Sequence, residues 1–449
     1  MATIPGTNGD DELVMIAAGD TLYGRAGNDV LLATFDLGVL NGGTGDDRLV
    51  AQDTGGHRMQ GGDGNDTFEL TESSGNDVRG GADQDVFTVV GGFGHSLRGG
   101  QGYDLFSLFQ VQDVEVWTGP GGGFVDLTQC ENIRINGSAE VDNFQLWFDN
   151  RNLTIHAGAG NDSFDMADLF LGLSASFISG GAGDDSMILT GVGYGSTLNG
   201  DSGNDSIRIT GGSASTVNGG TGDDDIAIGY FMEFFTVNGG AGNDNLFADS
   251  SWGCVLDGGA GGDVIFTSGR PTGSGSNLIY GGTGDDALTI AGESGDQVYG
   301  EAGDDRISSL FTYSGFLDGG DGDDQFDFAG ALGNVVTGGR GSDVYAFDFN
   351  SRDNTITDFD RVAGGLSPVE DRFDFTQIGL PDISLDQLVQ DGYLSVDASA
   401  NVTGGAARDS VVRVDPDGTA GMELAATVIV TAQDVVLGTT GADADNWLV

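Results

Sequence analysis

The chain has 449 residues, with 70 acidic side chains against 16 basic ones, no lysine, and a formal charge of −54. That balance excludes nucleic acid and anionic membrane surfaces as partners, because both are polyanions. The 82 glycines lack the three-residue period of collagen, and 38% hydrophobic residues in a regular pattern exclude a disordered polyanion.

The N-terminal MATIPGTNGDDELV enters a repeat at once and lacks the basic-then-apolar layout of a cleaved signal peptide. No run of 18 apolar residues occurs, so no membrane-spanning helix and no membrane insertion are expected. From there to Asp343 the motif Gly-Gly-x-Gly-x-Asp recurs at spacings of 16 to 23 residues, mostly 19 or 20. A short fixed period means stacked turns in place of one closed core.

Ten copies keep the whole motif. They run from Gly42 and Gly43 to Asp47, Gly61 and Gly62 to Asp66, Gly99 and Gly100 to Asp104, and Gly180 and Gly181 to Asp185. Next come Gly219 and Gly220 to Asp224, Gly239 and Gly240 to Asp244, and Gly258 and Gly259 to Asp263. The last are Gly281 and Gly282 to Asp286, Gly319 and Gly320 to Asp324, and Gly338 and Gly339 to Asp343. Near-matches end at Asp11, Asp29, Asp85, Asp162, Asp205 and Asp305, and degraded ones at Asp126 and Asp142.

Each unit reads as strand, turn, strand, turn. After the aspartate, apolar residues alternate, as in Asp66-Thr-Phe68-Glu-Leu70 and Asp324-Gln-Phe326-Asp-Phe328, the pattern of a strand with one buried face. A second short strand leads into the next glycine pair, with Leu40, Met59, Val78, Leu97, Val217, Val237, Leu256, Leu317 and Val336 facing inward. The expected fold is all-β: a flattened parallel β-solenoid of about 18 coils, roughly 85 Å long at ~4.8 Å per coil. One edge carries the acidic row. The other reads GGFGHS, GVGYGS, GGSAST or DSSWGC, a neutral edge of Gly, Ser and aromatic residues.

A bare column of carboxylates at that rise is repulsive, at roughly 3 kcal/mol per neighbouring pair for an effective dielectric near 20. A hard divalent cation between coils removes the repulsion. Calcium accepts carboxylates and backbone carbonyls together, whereas magnesium keeps its water and zinc wants His or Cys. The expected cofactor is Ca2+, about one ion per inter-turn gap along one edge.

These residues resemble the RTX (repeats-in-toxin) family of calcium-binding nonapeptides, with pattern GGxGxDxUx and U a large apolar residue. The resemblance covers roughly residues 6 to 350. It implies a right-handed parallel β-roll, calcium bound by the aspartate and turn carbonyls of adjacent coils, and folding on calcium after export by type I secretion machinery. Alternation of one binding nonapeptide with a ten-residue non-binding stretch departs from the family pattern and suggests one row of ions in place of two.

After Asp343 the texture changes. DNTITDFD (353–360) and VEDRFDFTQIGL (369–380) resemble the segment that follows the repeats in type I secretion substrates, where it packs on the last turns. ARDSVVRVDPDGTAG (407–421) reads as two strands around a turn. The expected division is residues 1–350 as the calcium-binding roll and 351–449 as a capping and secretion region. LGTTGADADNWLV (437–449) looks like the start of a repeat, which raises head-to-tail self-association beside a plain export signal.

No enzyme signature emerges. His57, His95 and His156 stand at or near coil corners, without an HExxH helix or a G-x-S-x-G elbow, and Cys130 and Cys254 lie too many coils apart for a disulfide. The leading expectation is a secreted calcium-binding structural protein that orders outside a bacterial cell and assembles into a layer, matrix or filament. An adhesin or glycan-binding module using Phe93, Tyr194, Phe234 and Trp252 on the neutral edge is the alternative.

Overall fold

The computed structural model describes residues 1–166, 172–269, 276–292, 294–348, 350–359, 371–378, 387, 394–400, 409–414, 427–432 and 447–448. The protein is an all-β parallel solenoid of about 18 turns, with essentially no helix among the described residues. It divides into two compact units, Met1–Ile226 and Ala227–Val449.

In the first unit each coil gives one strand to each of two parallel sheets. One sheet stacks Thr21–Ala26, Val39–Thr44, Arg58–Asp63 and their successors, and the other stacks Val30–Ala33, Arg48–Gln52, Thr67–Thr71 and theirs. Register never slips along the inner columns. Leu22, Leu40, Met59, Val78 and Leu97 pair in succession, as do Leu31, Leu49, Phe68, Phe87 and Phe106. All ten are buried, because the two-residue period of a strand sends every second side chain into the space between the sheets. Stacking like on like matches side-chain shapes: the rings of Phe68, Phe87 and Phe106 lie nearly parallel, with centroids 4.8 and 4.5 Å apart.

The second unit repeats the arrangement. Val237, Leu256, Ile279, Val298, Leu317, Val336 and Ile356 form one inner column, and Leu246, Ile265, Leu288, Ile307, Phe326, Tyr345 and Phe373 the other. The segments after Asp343 extend both sheets. Asn354–Ile356 pairs with Val336 and its neighbour, and Arg372–Asp374 pairs parallel with the strand that holds Tyr345. Phe359 stacks on Phe373 at 4.4 Å, so the ITDF and RFDF stretches close this end of the core together. Thr427–Ala432 then pairs parallel to Asn354–Ile356 and antiparallel to Asp409–Val414, which pairs antiparallel with Leu394–Ala400. Trp447–Leu448 pairs parallel with Phe373–Asp374. The turn expected between the two strands of 407–421 lies outside the described residues.

Candidate metal centre

The acidic edge is built by glycine. At Gly43 (φ 121°) a β-carbon would collide with the backbone of Arg25 one coil before, and Gly45 meets Gly27 in the same way. Only a residue without Cβ lets successive turns approach this closely in a left-handed conformation. The turns therefore stack, and each aspartate lands above the last.

The aspartates join in a ladder. In the first unit the backbone N–H of Asp29 donates to Oδ1 of Asp47, Asp47 to Asp66, Asp66 to Asp85, and Asp85 to Asp104, at 2.7–2.9 Å. A second run links Asp142, Asp162, Asp185, Asp205 and Asp224 at 2.7–2.8 Å. In the other unit Asp244, Asp263, Asp286, Asp305, Asp324, Asp343 and Asp371 follow at 2.7–3.0 Å. All these carboxylates are 0–2% exposed.

At each accepting aspartate the ladder uses Oδ1. At Asp29, Asp47, Asp66, Asp85, Asp104, Asp162, Asp185, Asp205, Asp263, Asp286, Asp305 and Asp324 the buried Oδ2 has no hydrogen-bond partner. A buried carboxylate oxygen left alone is strongly unfavourable, which requires a proton or a cation there. Without a cation, burial first and neighbouring aspartates second raise the carboxyl of Asp66 to about 7, Asp85 to about 8, Asp185, Asp286 and Asp324 to about 7, and Asp305 to about 6.

The surroundings fit calcium. The first glycine of each pair faces Oδ2: a β-carbon on Gly281 would stand 2.5 Å from Asp286 Oδ2 and 2.7 Å from the carbonyl oxygen of Gly300 on the next coil. The same cradle recurs at Gly258 and Gly319 beside the carbonyls of Gly281 and Gly338, each at 2.5 Å. Carboxylate and carbonyl oxygens so converge on a space that any side chain at the first glycine would fill. Among the described residues no three His, Cys, Asp or Glu side chains cluster to hold a metal. A site of one carboxylate plus backbone carbonyls suits a hard, oxygen-seeking ion and not zinc.

Two coils provide an internal contrast. In GTNGDD and GSAEVD the second glycine is replaced by Thr7 and Ser138. There the carboxylate oxygen finds protein donors: Asp11 Oδ2 accepts from Thr7 Oγ1 at 2.9 Å and from the Thr7 amide, and Asp142 Oδ2 accepts from the Ser138 amide at 2.8 Å. Loss of a glycine does not by itself remove the orphaned oxygen: Arg25, Asp201 and Glu301 replace the second glycine in the coils of Asp29, Asp205 and Asp305, whose Oδ2 stays unpartnered, and Asp142 keeps a buried, unpartnered Oδ1. Asp11 is also less buried than the aspartates of the ladder.

One expected position is corrected. Asp126 is not in the row: register pairs Gly123, not Asp126, with Asp104 and Asp142, and Asp126 lies three residues further along the strand. One coil of the first unit therefore has glycine, and no carboxylate, at the row position. Conversely, Asp371 was missed as a ladder member, because it stands 28 residues after Asp343 with an insertion between. The residues before the row aspartates were missed too. Asn28, Asp46, Asn65 and Gln84 form a second, exposed ladder of opposite sense, each amide donating to the side chain of the preceding coil at 2.8–3.1 Å. The alternation of Asn and Asp at that position was its signal in the sequence.

The other edge is internally ordered. Gly38 N–H donates to His57 Nδ1 at 3.0 Å, the His57 amide to Asn76 Oδ1 at 2.9 Å, and further on Cys254 to Asn277 and Gly315 to Asn334 at 3.0 and 2.8 Å. His57 and His95 are buried corner residues; burial lowers the pKa of His95 to about 4, so it stays neutral. His156, expected near a corner, instead lies within the strand Thr154–Ala159 against Phe177. Cys130 and Cys254 are buried, and neither joins a disulfide.

The model of the RTX calcium-binding nonapeptide repeat matches four copies in this chain, at residues 17–35, 236–251, 272–289 and 290–309. No curated protein matches. Among solved structures the chain is similar to a hyperactive, Ca2+-dependent, beta-helical antifreeze protein from an Antarctic bacterium, at 20% identity over 78% of this chain and 84% of that one, with a TM-score of 0.25. Matched nonapeptides and cradled carboxylates lead to one conclusion: the chain carries RTX-type calcium-binding repeats, and its cofactor is calcium, bound in multiple copies.

Proposed function

We propose that this calcium-binding protein is a secreted structural protein that orders on calcium outside the cell and assembles into an extracellular layer, matrix or filament. One observation carries the reading: buried Oδ2 atoms without partners recur once per coil through long runs of both units. Such a chain is held together by ions, and it resists compaction wherever calcium is scarce. Calcium sits one ion per gap, held by Oδ2 of Asp29, Asp47, Asp66, Asp85 and Asp104, of Asp162, Asp185, Asp205 and Asp224, and of Asp244, Asp263, Asp286, Asp305, Asp324 and Asp343. The carbonyls of the facing glycines complete each site.

Residues 351–449 serve as capping and secretion region, read by type I secretion machinery. Self-association runs head to tail, the end of one solenoid adding to the end of the next. We read the chain as non-enzymatic. Among the described residues no helix is long and apolar enough to cross a membrane.

A second reading has its own support. Phe93, Tyr194, Phe234 and Phe311 expose 55–76% of their surface, and Trp252 lies 5.3 Å from Phe234. Such residues would serve an adhesin or glycan-binding surface. Electron microscopy with millimolar calcium and with chelator, beside circular dichroism of both samples, separates the readings. Polymers that dissolve on chelation support the scaffold; ordered monomers shift the weight to binding; no calcium-dependent ordering overturns both.

A further inference from the structure

The last turn with an intact glycine motif, Gly338 to Asp343, carries a hydroxyl where earlier turns carry a carbonyl. At Gly239, Gly258, Gly281 and Gly319 the point where a β-carbon would stand lies against Oδ2 of the coil's own aspartate. It is also 2.5–2.7 Å from the carbonyl oxygen of the next coil's first glycine. At Gly338 the same point lies against Asp343 Oδ2 and the Tyr345 hydroxyl, which stands in the carbonyl's place. The chain supplies no further repeat glycine there; the Gly338 and Gly339 amides instead donate to the Asp358 carboxylate, both at 2.9 Å.

Tyr345 is fully buried, and its hydroxyl has no hydrogen-bond partner. Its register neighbours Leu246, Ile265, Leu288, Ile307, Phe326 and Phe373 carry no polar atom. Phenylalanine fits this column on both sides of Tyr345, so packing does not require the hydroxyl. An orphaned buried hydroxyl is a net cost. Its position among oxygens that face a cation space gives it a use.

We propose that the Tyr345 hydroxyl is a ligand of the calcium held by Asp343 Oδ2, taking the place of the carbonyl that the next coil's first glycine offers at the earlier turns. The inference rests on the calcium row proposed above. A neutral phenol oxygen is a hard donor like the carbonyl it replaces, and calcium takes mixed oxygen sets of six to eight.

The test is a crystal structure of the full chain grown with calcium, together with a count of bound calcium in the wild type and in Tyr345→Phe. The expected result is a cation about 2.3–2.6 Å from both Tyr345 Oη and Asp343 Oδ2, and one calcium fewer in the variant at a concentration that saturates the interior turns. A cation at Asp343 with Oη outside its coordination shell, or an unchanged count, overturns the proposal and leaves Tyr345 a packing residue. Interior turns such as Asp286 without cations would overturn the row itself, a separate outcome. Should Tyr345→Phe fail to order, the wild-type crystal structure decides.

Discussion

Each row aspartate uses its two oxygens differently, and that asymmetry makes residue-scale predictions. Asp286→Asn keeps an Oδ1 to accept the Asp263 amide, a bond of 2.7 Å, but removes the charge that faces the carbonyl of Gly300. The ladder should survive and the ion should not: about one calcium fewer by equilibrium dialysis, and a calcium midpoint for ordering shifted upward in circular dichroism. Gly281→Ala reaches the same end by sterics, since its β-carbon would occupy the space between Asp286 Oδ2 and that carbonyl. If Gly281→Ala binds as much calcium as the wild type, the cradle is misassigned. Protons compete for the same oxygens. Burial and neighbouring carboxylates raise Asp66, Asp85 and Asp324 from 3.8 to about 7, 8 and 7 in the metal-free fold, so that fold binds more protons than the unfolded chain. Its stability is full below about pH 4 and is lost as pH rises through 6 to 8. In chelator, acidification from pH 8 to 5 should therefore increase the β signal. A metal-free chain that loses order over that range would contradict the burial of the row.

At the scale of the strand, order comes from columns of like side chains. Phe87 lies between Phe68 and Phe106 at 4.8 and 4.5 Å and is fully buried, so Phe87→Ala opens a cavity that neither neighbour can fill without leaving its own register. The expected loss is about 3–5 kcal/mol, read as a lower urea midpoint in saturating calcium with the calcium count of distant coils intact. These columns were legible in the sequence because burial follows a two-residue period within strands and a nineteen-residue period between them: Leu40, Met59, Val78 and Leu97 could be read off in phase. The cradled Oδ2 was legible only in outline, since the motif shows which carboxylates stack but not which oxygen the ladder consumes. Asp126 misled because the motif was followed in place of the period. Counting 19 residues from Asp104 reaches Gly123, and 19 more reach Asp142, as the pairing confirms. Asp371 and Tyr345 were hidden for the opposite reason: one follows an insertion, and the other replaces a backbone oxygen, which leaves no mark in a sequence pattern.

For the whole molecule the question is whether calcium acts as a ligand or merely as a counter-charge. A chain with a formal charge of −54 is self-repelling, and any cation relieves that. About fifteen ions in the row would bring about 30 positive charges, more than half of what is needed. Screening alone is also available: at 1 M monovalent salt the Debye length is about 3 Å, shorter than the ~4.8 Å rise between coils. If repulsion were the whole obstacle, 1 M sodium chloride in chelator should order the chain as fully as millimolar calcium does. Screening, however, cannot supply a partner to an oxygen that is buried and out of reach of bulk ions, and the row aspartates are at most 2% exposed. We therefore expect sodium chloride to compact the chain without producing the β spectrum, and magnesium to do little more, because it surrenders its water reluctantly to a site built largely of carbonyls. Calcium should produce the β spectrum at millimolar concentration in low salt, where screening is weakest. Equal ordering by sodium chloride and calcium, measured by circular dichroism on one preparation, would mean that the row is only a charge problem and that the cradle beside each Oδ2 holds no ion.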